Sequence, residues 1–141
     1  LNTVHQIDTA EVEISGAKAI SESFCVITSR FEHQGQEFDK ITQCRLMSRL
    51  EKLDDSSQGP PWRMLSLEPI YLRDSFVPAT PQSTDAFPTF QGLENYPKSY
   101  RHGVWLLASI GITSRHDLPN EDDRESVERI IGRNRDWLHS A

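Results

Sequence analysis

Arg45 and Arg49 stand at positions of equal parity in a strand-like run, so both guanidinium groups can face one surface. A cation there can hydrogen-bond a carbonyl or phenolate whose negative charge grows as a neighbouring proton leaves, which lowers the transition state. On a solvated strand face the same arginines would simply pair with Glu22, Glu51 or nearby acids. In WRMLSLEPIY, Glu68 shares parity with Trp62 and Met64. A carboxylate enclosed by apolar groups keeps its proton to higher pH and can trade it near neutrality; on the surface it is only solvated. Beyond Pro69, Tyr71 can orient a substrate oxygen, while Asp74 suits a cap or an ion pair better than catalysis. Phe24, Phe38, Trp62 and Met64 can line an apolar binding wall, and ordinary core packing uses the same side chains.

The remaining chemistry-bearing residues form no recognised set. His33, His102, His116 and His139 lack the regular spacing to carboxylates or thiols that a metal site uses, so no metal is expected. Cys25 and Cys44 are far from CxxC spacing, and two thiols make no disulfide framework; they read as buried free thiols. Neither GxSxG, HExxH, a phosphate loop nor a dinucleotide fingerprint occurs.

Strands must carry most of these residues. Ser15-Gly16 turns a first hairpin into a run from Lys18 to Phe31 rich in β-formers, and His33-Gln34-Gly35-Gln36 turns a second into a strand bearing Phe38, Ile41, Leu46, Met47 and Leu50. DDSSQGPP, residues 54–61, is a loop, and Trp62 opens the next strand. Pro69 marks an edge, a bend or the approach to a strand end. Helical spacing begins at Ser99 and runs to Ile110, with Gly111 as its stop; a second helix should start near Glu121 and reach about Leu138. The order is α+β. With 141 residues there is room for one domain over 1–141, containing a long loop over 72–98 and a helical region over 99–141.

Fifteen basic against 21 acidic residues give a net charge of −6, which disfavours a nonspecific grip on phosphate, so no nucleic-acid partner is expected. The longest apolar runs fall far short of the roughly 20 residues that cross a bilayer, and no basic-plus-apolar opening segment resembles a secretory signal. A soluble, cytoplasmic protein without a membrane partner is the expectation.

Read together, VHQIDTAEVEISGAKAISESF, ITQCRLMSRLEK, WRMLSLEPIYLRDSFVPATP and YPKSYRHGVWLLASIGITSRHDLPNEDD, followed by DWL, resemble the SnoaL-like family in their order. That resemblance implies an α+β cone, a curved antiparallel sheet wrapped around a pocket with packed helices. It implies a cofactor-independent dehydratase, isomerase or cyclase of secondary metabolism, hence a lyase or isomerase, acting on a small hydrophobic oxygenated molecule, and a homodimer. It also implies that His5, in VHQI, enters the pocket as the proton-transferring imidazole, its near-neutral pKa suiting the task. The family's usual amino-terminal helices have no counterpart before His5, so the domain is expected to lack that helical cover.

These readings set His5, Glu68 and Arg45 as catalytic candidates, and Phe24, Phe38, Arg49, Trp62, Met64 and Tyr71 as substrate-binding ones. The alternatives are a noncatalytic ligand-binding or dimerisation domain, or an incomplete enzyme fragment.

Overall fold

The computed structural model describes residues 2–54, 59–80 and 87–141. Two short strands, β1 (Asn2–Ile7) and β2 (Glu11–Ser15), are followed by three long ones, β3 (Lys18–His33), β4 (Gln36–Lys52) and β5 (Trp62–Pro78). All pair antiparallel: β1 and β2 lie end to end along β3, and β4 separates β3 from β5. Tight turns set these registers. Gln34 and Gly35 both take positive φ, 52° and 77°, as a two-residue primed hairpin requires, and Gly16 at φ 60° does the same work before β3.

After β5 come a single 3₁₀ turn (Leu93–Asn95) and two helices, α1 (Arg101–Ser109) and α2 (Arg124–His139). α1 stops where Gly111, at φ 83°, lets its amide reach the Ala108 carbonyl while Ile112 reaches that of Leu107. α2 begins at Asp123, whose side chain accepts from the Ser126 amide.

Each helix covers a different face. On one face Phe31, Phe38 and Leu106 of α1 pack with Phe76, Phe90 and Trp105. Met47, of opposite parity to Phe38, packs with Ile70 against Ile130, Val127 and Ile131 of α2. The last residues of the connection between the helices are fixed to the free edge of β5: the Tyr71 amide donates to the Pro119 carbonyl and the Glu121 amide to that of Tyr71, both at 2.9 Å. This covers part of an otherwise unpaired edge.

The class is α+β, but the curved cone is not the architecture. The sheet is open and not curled: β1 and β2 end it on one side, β5 on the other, and no ladder joins the two among the described residues. A cone needs one concave face wrapped round a pocket, whereas here both faces are used to seat helices. The SnoaL-like resemblance therefore fails on fold. β5 also continues to Pro78, so residues 72–78 of the expected loop are strand, while 55–58 and 81–86 lie outside the described residues.

Candidate functional site

The most chemically furnished cleft lies between α1 and the central strands. Its volume is about 280 Å³, and its lining includes Lys40, Thr42, Tyr71, Asp74, Tyr100 and Gly103. Cross-strand register explains the convergence. Ser29 lies opposite Lys40 and Ile27 opposite Thr42 on β3 and β4, while Thr42 lies opposite Asp74 and Cys44 opposite Tyr71 on β4 and β5. Tyr71 and Asp74 differ in parity and would ordinarily face opposite ways. A bulge between Gln43 and Cys44 leaves Leu72 as the extra residue on β5 and turns both toward the cleft.

Asp74 is the anchor. Its side chain is 1% exposed; Oδ1 accepts from His102 Nδ1 at 2.6 Å and Oδ2 from the Gly103 amide at 2.8 Å. It thereby satisfies an amide in the first turn of α1 that has no partner within the helix. His102 and Arg101 lie beyond Asp74, in a separate recess that Asp74 also borders. Gly103 has no side chain, and a Cβ there would sit 3.7 Å from Asp74 Oδ2 and 3.8 Å from Lys40 Nζ. Both polar groups thus lie just beneath this point of the helix.

Two groups are left available. Thr42 is 2% exposed and its hydroxyl has no hydrogen-bond partner among the described residues. Lys40 forms no ion pair among them either; burial pushes its pKa below the ordinary lysine value, with the Asp74 charge acting in the opposite direction. Burial likewise raises the Tyr71 and Tyr100 pKa values, so both phenols stay protonated donors through neutral pH. The Leu118 amide donates to the Tyr100 hydroxyl at 3.1 Å. Beside Tyr71, Cys44 pairs across the strands with Cys25; both are free and fully buried, and burial first, then Cys25, raises the Cys44 thiol to about 11.

The residues singled out from sequence are scattered. His5 shares the cleft's face through the register His5–Ile27–Thr42–Asp74, but it is exposed on β1, three strand spacings or about 14 Å from Asp74. Glu68 and Arg45 turn to the opposite face, where Glu68 pairs with Arg133 of α2 and Arg45 with Glu22. His5 therefore meets neither. Arg49 donates to Ser66 and lies over the Trp137 ring. Phe24 is 38% and Met64 58% exposed, Trp62 is half-buried at the start of β5, and Phe38 is sealed in the aromatic core. Only Tyr71 of that set lines the cleft. Asp74 makes the cap and pairing contacts read for it, whereas Lys40, Thr42 and His102 were missed. One signal was present: Phe38, Lys40, Thr42 and Cys44 share parity, and a lysine in an otherwise buried row is anomalous.

Among the described residues no group of three or more His, Cys, Asp or Glu side chains is arranged to hold a metal ion. No helix among them is long and apolar enough to cross a membrane.

No family model matches the chain. It is similar to a PEP2-like protein of Fusarium vanettenii, 30% identical over 112 residues that cover 79% of this chain and 46% of that protein. It is also similar to pea pathogenicity protein 2 of the same fungus, 28% identical over 114 residues, with the same two coverages. An uncharacterized protein of Emericella nidulans is 26% identical over 134 residues, covering 93% of this chain and 54% of that protein. The chain thus spans about half the length of the curated relatives it matches. With no family model and an open sheet, the lyase or isomerase class drawn from the SnoaL-like resemblance loses its basis.

Proposed function

We propose that the cleft beneath α1 binds a small oxygenated molecule with an apolar body and moves a proton at a carbon next to its carbonyl group. The observation that carries this reading is the gathering, in one cavity of about 280 Å³, of an amine, a carboxylate, two phenols and an unpartnered hydroxyl against the apolar walls of Ile27, Val104, Leu106 and Leu107. Thr42 and Tyr71 are placed to hydrogen-bond a substrate oxygen, and the buried Thr42 hydroxyl does so away from bulk water. Burial disfavours the charged form of the Lys40 amine, and in its uncharged form the amine can accept the carbon-bound proton. Of the expectations drawn from sequence, the small oxygenated ligand is kept and the residues assigned to it change.

The test is proton exchange. Phenylacetone incubated with the protein in heavy water should lose its methylene proton signal in NMR faster than in buffer, and Lys40→Met should cut that gain at least tenfold. Exchange no faster than that given by free lysine at equal concentration defeats the reading.

A second reading, self-association, has its own observation. Val4, Ile7, Val12 and Ile14 on β1 and β2, and Met64, Leu65 and Leu67 on β5, are exposed apolar side chains at the two sides of the sheet. A homodimer would bury part of them; sedimentation showing only monomer from low to high micromolar concentration rejects it. Cys25 and Cys44, side by side and unbridged, suit a reducing compartment such as the cytoplasm.

A further inference from the structure

We propose that Lys40 is a carbonyl-condensing amine whose Nζ attacks a small ketone or aldehyde held in the cleft and forms an imine. This rests on the reading of the cleft as a carbonyl-binding site and names the bond made there. Lys40 stands apart from the other three lysines. Lys18 donates to the Trp137 and Ser140 carbonyls and to the Ser140 hydroxyl, and Lys52 and Lys98 are exposed. Lys40 alone enters a half-open, largely apolar cleft without an ion-pair partner among the described residues. The nearby carboxylate, Asp74, is occupied through one oxygen by His102 and through the other by the Gly103 amide. The amine is thus close to a negative charge without being locked by it, and burial favours the uncharged, nucleophilic form.

The step balances with no oxidant or reductant. The nitrogen lone pair forms the C–N bond as the carbonyl π electrons move to oxygen, which takes a proton from the Tyr71 hydroxyl; the nitrogen releases one proton, which restores Tyr71. The carbinolamine then loses its oxygen as water: the C–O bond breaks, the departing hydroxyl takes a proton from the Tyr71 hydroxyl, and the nitrogen lone pair closes the C=N bond, leaving a protonated imine whose N–H proton can return to the Tyr71 phenolate to give the neutral imine. Thr42, two residues from Lys40 on the same strand face and without a hydrogen-bond partner among the described residues, is placed to hold that oxygen throughout. Protonated, the imine draws electrons from the neighbouring carbon and loosens its hydrogen, and because the Lys40 nitrogen is now bonded to the substrate, the proton falls to another group. Asp74 lies in the wall beside it, backed by the His102 imidazole.

Reductive trapping tests this on the whole chain. The protein is incubated with phenylacetone and sodium cyanoborohydride near pH 7.5, digested, and mapped by mass spectrometry. The expected result is one reduced adduct on the Lys40 peptide, at least tenfold above Lys18, Lys52 and Lys98, and none at position 40 in Lys40→Arg. Gly103→Leu keeps the amine but fills the space over it, and should remove the Lys40 adduct while leaving any background on Lys52 unchanged; circular dichroism checks that both variants fold. An adduct shared evenly among the lysines, or absent from Lys40, overturns the proposal. If trapping fails while phenylacetone still exchanges its protons in a Lys40-dependent way, the imine falls and the proton-transfer reading stands. If neither trapping nor exchange occurs, both fall.

Discussion

Asp74 on β5 joins His102 on α1 through a 2.6 Å contact between Oδ1 and Nδ1, and the same carboxylate receives the Gly103 amide. One buried side chain therefore both positions the helix that roofs the cleft and orients an imidazole.

Asp74→Asn should cost roughly 2–3 kcal/mol, because charge-assisted hydrogen bonds in a buried setting are the strong ones and their donors would be left poorly paired. Urea unfolding followed by circular dichroism measures it. A change below about 0.5 kcal/mol, within the range of ordinary surface substitutions, would mean that α1 is seated without this contact.

Ile70→Ala should lower stability by about 2–5 kcal/mol, since Ile70 is fully buried between Met47 and Ile130 and the helix above can only partly collapse into the gap. Because that core lies on the face opposite the cleft, proton exchange of phenylacetone below the unfolding transition should be unchanged. Equal losses in both readouts would show that the two faces are coupled.

Much of this arrangement follows from local rules. Gly16 and Gly35 announce their hairpins, and Gly111 announces the end of α1, because each takes a backbone conformation that side-chain-bearing residues resist. The cleft was harder to read for two reasons. Parity separates Tyr71 from Asp74 in the sequence, and only the bulge at Leu72 reunites them. Asp74 and His102 are brought together by the packing of α1 on the sheet, a contact across 28 residues that no spacing rule encodes. The sheet's openness was equally hidden, since alternating strands look alike whether their edges stay apart or curl toward each other.

Alkaline pH should expose the thiol pair. The Cys44 pKa is about 11 in the folded chain against 9.0 for an unperturbed thiol. Below pH 9 both states hold the proton and the stabilisation is complete; as pH rises from 9 to about 11 the unfolded chain ionises first, so stability falls, by up to about 3 kcal/mol from this group. Cys25, Tyr71 and Tyr100 act in the same direction. Lys40 opposes them, because the folded state gives up its proton before the unfolded state does and so gains stability up to about pH 10.5. Comparing Cys44→Ala with the parent at pH 8 and pH 11 isolates the thiol: the variant should lose less stability across that interval. An equal loss in both proteins would assign the alkaline decline elsewhere.

Lys18 ties the start of β3 to the end of α2, donating to the Trp137 and Ser140 carbonyls at 3.1 Å and to the Ser140 hydroxyl at 2.7 Å. A cation at that end complements the exposed carbonyls and the negative pole of the helix. Its Nζ also lies 5.2 Å from the Trp137 ring centroid, over which Arg49 is placed at 5.8 Å. Lys18→Met keeps the aliphatic stem and removes the donors, so the loss should be about 1 kcal/mol, smaller than for Asp74→Asn because Lys18 is half-exposed and water can replace it. Hydrogen exchange distinguishes a local effect from a global one: amides of the last turn of α2 should lose protection more than those of the central strands. Uniform loss across the sheet would instead mean that Lys18 supports the β3 register itself, and the helix-end account would be wrong.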